Sequence, residues 1–322
     1  MLADALRAAV HRPGPRSLTM TPGNPGNPGH FSGWEADPHA AVVEHIGAVL
    51  DLEVDLREVL VAQDRPGRDR LTTGAAAPRV VGVWLGDATG CGPDRAVAAA
   101  LAAAAPRLPM LARAARVFRR EAVHDALDKG CLQQVLDLAA GIPPRDEPLY
   151  HRAGAPVTAV YVEQDPIAVY LLQDRLRAHR PAGRPDRQDQ RSIVVHAGLS
   201  VPTPLLDALV ERQVLDFAEP VLVVLSMALH HLARFEALHL LDVLRRRLAP
   251  GSRMVITAFV ADPYDAVTRD AVIAADTAVP QLHLHRSVDL EDWLAETGWP
   301  VDQAEVPAGL FAAVAHVPWK PA

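Results

Sequence analysis

From residue 134 to residue 260, short apolar runs alternate with longer helical stretches, and this alternation constrains the fold more than any other feature. Residues 135–138, 157–162, 192–196, 221–226 and 253–260 each read as a buried strand. Residues 167–178, 204–212 and 235–248 read as helices between them. In the last helix Phe235, Leu238, Leu241, Leu244 and Leu248 form an apolar stripe, and Pro250-Gly251 stops it. Parallel neighbours need a crossover, which a helix supplies, so the order predicts an α/β, mostly parallel, doubly wound sheet. A short helix over 289–296 follows, with Ser287 as its N-cap. Residues 301–306 and 310–317 then read as strands joined by Pro307-Ala308-Gly309, a turn short enough to make them an antiparallel hairpin.

The chain before this core is different. Residues 1–38 are rich in Pro and Gly, which cannot sustain regular hydrogen bonding, so this segment is expected to be mobile. Residues 39–78 are expected to hold a helix over 40–61, carried by Val43, Ile46, Leu50 and Val54, and then a polar linker. Residues 79–130 read as a helical cap, broken once by Pro106 and Pro109 and ended by Gly130. Residues 131–322 form the expected core.

Composition narrows the function classes. At 49% hydrophobic and 22% charged, the 322 residues can bury a sizeable core and are too apolar for a disordered chain. The net charge of −7 speaks against a nucleic-acid partner. No apolar run approaches the roughly 20 residues of a membrane helix, and the first ten residues lack a signal core, so a cytoplasmic location is expected. Cys91 and Cys131 are too few for a disulfide scaffold or a four-cysteine zinc site. All but Lys129 and Lys320 of the 32 basic residues are arginine, which suggests GC-rich coding and a bacterial source.

Ligands of doubly wound sheets bind beyond the carboxyl ends of the strands. The first strand runs into Asp137-Leu138-Ala139-Ala140-Gly141, where small residues let a ligand approach the backbone. The second ends in Glu163-Gln164-Asp165, where a carboxylate can accept ribose hydroxyls. The glycine-rich fingerprint of dinucleotide sites is missing, and Pro143-Pro144 removes amides that a pyrophosphate would need. That disfavours NAD and an oxidoreductase, and favours a nucleoside cofactor without phosphates, S-adenosylmethionine.

Several stretches, at 79–95, 116–123, 135–141, 160–166, 221–232, 244–258 and 319–321, together resemble the S-adenosyl methyltransferase family of high-GC bacteria, a divergent class I group. The resemblance runs from about Thr72 to the C-terminus. It implies a Rossmann-like class I methyltransferase with a helical N-terminal extension. It also implies that Asp137 and Gly141 stand in the first cofactor motif and that Glu163 replaces its ribose-binding Asp. Gln164, Asp165 and Pro166 follow, and Gly198 and Leu199 occupy the adenine side. Ser226 and Met227 open the fourth strand onto cofactor and substrate. Arg79, Gly86, Asp94, Arg95, Arg116 and Phe118 match the helices that pack over the pocket. Ala139 replaces the turn's first glycine, Gly198 replaces an acid, and Gly82, Ala88, Gly90 and Ala115 stand where polar residues are usual.

His230 and His231 follow the fourth strand and are the candidate bases, since imidazole titrates near neutrality. Asp262, Tyr264 and the loop 261–286 are candidates for substrate contact. His283 and His285 lack a third ligand for a metal site. The expected partners are a small-molecule methyl acceptor and, through exposed apolar helix faces, a second copy of the chain. The competing reading is a methyltransferase-like binding or regulatory protein without turnover.

Overall fold

The computed structural model describes residues 75–86, 90–128, 132–143, 150, 156–178, 191–261, 283, 285–304 and 306–318. The expectations for 1–38, for the helix at 40–61, for Asp262 and Tyr264 and for 319–321 lie outside these residues.

Among the described residues three helices precede the sheet: α1 (Ala77–Trp84), α2 (Gly92–Ala104) and α3 (Leu108–Asp128). Besides the expected break, seen at residues 105–107, there is another, since α1 ends at Trp84 and α2 starts at Gly92. Gly86 at φ 87° supplies this one. Pro109 breaks nothing, because it lies in the first turn of α3, where its missing N–H has no intrahelical partner.

The sheet then builds as β1 (Gln134–Leu138), β2 (Thr158–Glu163), α4 (Pro166–Ala178), β3 (Arg191–His196), α5 (Pro202–Glu211), β4 (Leu222–Ser226), α6 (Arg234–Arg247), β5 (Arg253–Phe259), α7 (Ser287–Glu296), β6 (Val301–Gln303) and β7 (Leu310–His316). A 3₁₀ turn at Leu229–His231 follows β4. The strand order is β3-β2-β1-β4-β5-β7-β6. The first five strands are parallel, and β7 inserts antiparallel between β5 and the short edge strand β6. This is the expected α/β sheet with its C-terminal hairpin, though β6 is shorter than predicted.

Alternate residues of each strand face opposite layers. Leu136, Leu138, Val160, Val162, Val223, Leu225 and Ile256 pack with Leu209 of α5, Leu240, Leu241 and Leu244 of α6, and Trp293 of α7. On the other face Val135, Ala159, Tyr161, Val224 and Val255 pack with Leu172 of α4 and with Val123, Ala126 and Leu127 of α3. The first half of α3 does something else. Its Leu108, Leu111, Ala112 and Ala115 join Val80, Trp84, Val97, Leu101, Phe259 and Leu310 in a third cluster. One 21-residue helix therefore belongs to both the cap and the sheet packing.

Local signals explain the helix starts. In α2, α6 and α7 an acid three residues in reaches back to the first orphan amide. Asp94 accepts from Cys91 N–H, Glu236 from Ala233 N–H and Asp289 from Arg286 N–H, each at 2.8 Å. Ser287 is thus the first helical residue of α7, and Arg286 holds the cap position. The α6 stripe also needs correction. The inward residues are Ala237, Leu240, Leu241 and Leu244, while Phe235 is 74% exposed. Phe235 lies roughly 200° around the helix from Ala237 at 3.6 residues per turn.

Leu241→Ala is expected to destabilise the protein by about 2–5 kcal/mol, because it opens a cavity between α6 and the sheet. Phe235→Ala should stay within about 0.5 kcal/mol of wild type. Urea unfolding midpoints of the two variants check both.

Candidate cofactor and active site

The chain runs outward from β1 to β2 and β3, then returns to place β4 on the other side of β1. That reversal makes a crevice between β1 and β4 at the carboxyl ends, where ligands of such sheets sit. The expected cofactor residues and candidate bases, Asp137 apart, follow or end one of the first four strands there.

Glu163 organises one side. Its carboxylate is buried, yet Oε1 accepts the N–H groups of Gln164 and Asp165 and Oε2 that of Gly141, all at 2.8 Å. Burial pushes this carboxyl up to about 7, against the pull of those three N–H donors. The turn after β1 is anchored a second time, because Ala139 and Ala140 N–H donate to Val162 O at 3.0 and 2.9 Å. Ala139 sits at φ 72° and Gly141 at φ 64°. The left-handed conformation therefore survives at Ala139, although a Cβ there costs about 1–2 kcal/mol.

Asp137 does not line the crevice. It points into the α3-facing layer, fully buried, and accepts the Tyr150 hydroxyl; Arg119 of α3 approaches the same oxygen at 3.5 Å. Arg119 also donates to the Tyr150 oxygen at 3.1 Å, and Tyr150 stacks on Tyr161 with centroids 5.4 Å apart. Burial raises the Tyr150 hydroxyl well above its ordinary range, which keeps it protonated as a donor. Asp137 thus braces β1 beneath the turn.

Beyond β3, Gly198 lies against Gln164: a Cβ there would stand 3.2 Å from Gln164 Oε1. Leu199 packs into the core beside it. Beyond β4, Ser226 Oγ bonds Thr257 Oγ1 at 2.9 Å, and Met227 N–H donates to Thr257 O at 2.7 Å. Met227 adopts φ 58°, like Ala139 a non-glycine residue in the left-handed region. Thr257 of β5 was not legible as a site residue, since nothing in a buried strand marks one Thr for this role.

His230 and His231 are adjacent in the 3₁₀ turn, ring centroids 4.3 Å apart. His230 is buried. Its Nδ1 accepts the Phe259 N–H at 3.3 Å, which assigns the ring proton to Nε2. Burial first, then His231 and His285, lower its basicity well below the usual imidazole range. His231 is half-buried. His285 Nε2 bonds Leu232 O at 3.0 Å, and His283 N–H donates to His230 O at 2.7 Å, so this histidine cluster is tied by backbone contacts. Among the described residues no group of three or more ligating side chains could hold a metal ion.

The cap closes over this edge. Arg79 of α1, 2% exposed, places Nη1 3.4 Å from Asp94 Oδ2 and Nε 3.0 Å from Asp165 Oδ2. Asp94 is fully buried and accepts the Cys91 thiol at 2.7 Å. Burial and that bond push the thiol up to about 11, so Cys91 is a donor rather than a nucleophile.

The family model described as "S-adenosyl methyltransferase" matches residues 65–299. The chain belongs to the S-adenosyl methyltransferase family. The cofactor of this family is S-adenosylmethionine, and the residues here fit it: Oε2 of Glu163 accepts one N–H, leaving acceptor capacity for a ribose hydroxyl. Two solved structures share the fold. A putative methyltransferase from Thermobifida fusca YX is 18% identical with a TM-score of 0.65, over 80% of this chain and 100% of its own. A DUF574 family protein from Streptomyces avermitilis MA-4680 is 22% identical with a TM-score of 0.65, over 76% of this chain and 98% of its own. No curated protein matches. No helix among the described residues is long and apolar enough to cross a membrane.

Two outcomes follow from this geometry. Ala139→Gly should not destabilise the protein and should raise its stability by up to about 1 kcal/mol, since relief of the Cβ clash outweighs the added chain entropy; thermal unfolding measures it. Glu163 holds a proton in the folded state between its ordinary value near 4.5 and about 7, where the unfolded chain has released it. Its share of stability therefore falls as pH rises through that window. Urea midpoints at pH 5 and pH 8 should drop more in wild type than in Glu163→Ala.

Proposed function

We propose that this chain is an S-adenosylmethionine-dependent methyltransferase acting on a small molecule in the cytoplasm. The observation that carries the reading is Glu163 gripping Gly141 beside the switch point, a carboxylate and a small-residue turn held face to face. The bound cofactor supplies an electrophilic methyl group on a sulfonium. The protein's part is alignment and, for a protonated acceptor, removal of a proton.

Glu163 accepts a ribose hydroxyl through Oε2. Ala139 and Gly141 let the nucleoside lie close to the backbone, and Gly198 leaves the Gln164 amide and Leu199 beside the adenine. Asp165 stands behind Glu163. Ser226 and Met227 form the opposite wall. His230, neutral with its proton on Nε2, donates a hydrogen bond, and the half-buried His231 takes the proton from the acceptor. The net charge of −7 supports a small acceptor rather than a nucleic acid.

The competing reading, a binding or regulatory protein without turnover, rests on the replaced residues. The turn counts against it, because Ala139 keeps the left-handed conformation that a glycine would adopt.

Calorimetric titration with S-adenosylmethionine and S-adenosylhomocysteine tests the proposal. Wild-type protein should bind both, and Glu163→Ala should weaken binding by about 10–100-fold, the worth of a charge-assisted hydrogen bond. Folded wild-type protein that binds neither ligand overturns the reading. Binding without methyl transfer to any small acceptor favours the alternative.

A further inference from the structure

One turn of α1 touches the cofactor loop in ways the reading above does not use. Pro78 lies against Gly141, its Cβ 3.9 Å from where a Gly141 side chain would begin. The next residue, Arg79, spans the gap between the cap and the end of β2, reaching Asp94 at one end and Asp165 at the other. Asp94 is in turn fixed by the N–H groups of Cys91 and Ala76 and by the Cys91 thiol. Asp165 donates its own N–H to Glu163 Oε1, and Glu163 Oε2 receives the Gly141 N–H. A continuous polar chain thus runs from α2 through Arg79 to the carboxylate and the turn of the cofactor site. A planar guanidinium presents donors in two directions at once, which an ammonium cannot do from one point.

We propose that Arg79 is a positioning residue for the cofactor: it locks the helical cap onto Asp165 and so sets Glu163 and the Ala139–Gly141 turn in the geometry that receives the ribose. This rests on the reading of Glu163 as the ribose carboxylate. Cofactor binding and cap docking are then coupled. By reciprocity, a cofactor that favours the seated carboxylate also favours the seated cap. A purely structural Arg79 would contribute to stability and leave the affinity of the folded protein unchanged.

The test pairs titration with S-adenosylhomocysteine against amide hydrogen exchange in the full-length protein without ligand. Arg79→Gln takes the counter-charge from buried Asp94 and partly buried Asp165, so the charge-balanced Arg79→Gln/Asp94→Asn variant and Arg79→Lys are measured beside it. Arg286→Gln, which removes an exposed pair with Asp289, is the control. Arg79→Gln and the double variant should lose about ten-fold or more in affinity, with Arg79→Lys between them and wild type. Exchange at Gly141 should quicken by about ten-fold in both, while β4 and β5 exchange as in wild type. Saturating ligand should slow exchange across α1 in wild type and not in the variants. Variants that bind as tightly as wild type overturn the proposal, as does faster exchange in α1 with Gly141 unchanged. If wild type binds no ligand while Gly141 still exchanges faster in the variants, the ribose reading has failed, and the role for Arg79 falls with it.

Discussion

The edge of the sheet that matters is held by one buried carboxylate. Glu163 is cut off from water, and an ionised carboxylate in that position needs hydrogen-bond donors aimed at it. It finds them in three backbone amides, one from the turn after β1 and two from the turn after β2. The two turns therefore cannot move independently, and this wall of the crevice is shaped before any ligand arrives. On the far side of the switch point Thr257 acts similarly with a hydroxyl and a carbonyl, pinning Ser226 and the left-handed Met227.

The helical cap is joined to this edge by packing and by charge. α3 gives its first half to the cap cluster and its second half to the sheet, so any tilt of the cap disturbs both. Arg119 on the same helix reaches Tyr150 and Asp137, which carries the constraint into β1. Trp84 fixes α1 against α2 by donating to Ala98 O at 3.0 Å. These contacts are individually modest, but they share members, so they tighten one another.

Most of the sheet was legible because its strands are short apolar runs punctuated by helices, a pattern with few solutions. The C-terminal hairpin was legible from a three-residue turn. Phe235 misled because a stripe counted by threes ignored that the helix needs 3.6 residues for a full turn, so each step of three falls short, and Pro109 misled because a proline reads as a break until it is placed in a first turn. In the site, Glu163 and Gly141 could be found from strand ends. Asp137 could be located but not its direction, since the side of a strand that a residue faces depends on what covers it. The Arg79 bridge was invisible: it joins residues 79, 94 and 165, and no local pattern connects them.

The placement of β7 has a consequence for synthesis. It lies between β5 and β6, paired along the whole of β5 from Arg253 to Phe259. A ribosome that has made everything through α7 holds a nascent sheet whose β5 margin is bare, with Val255 and Ile256 flanking unpaired amides. Such a margin is a template for association with another chain. The protein is therefore exposed to misassembly just before β7 emerges, and its short β6 rim leaves little such margin once β7 is seated.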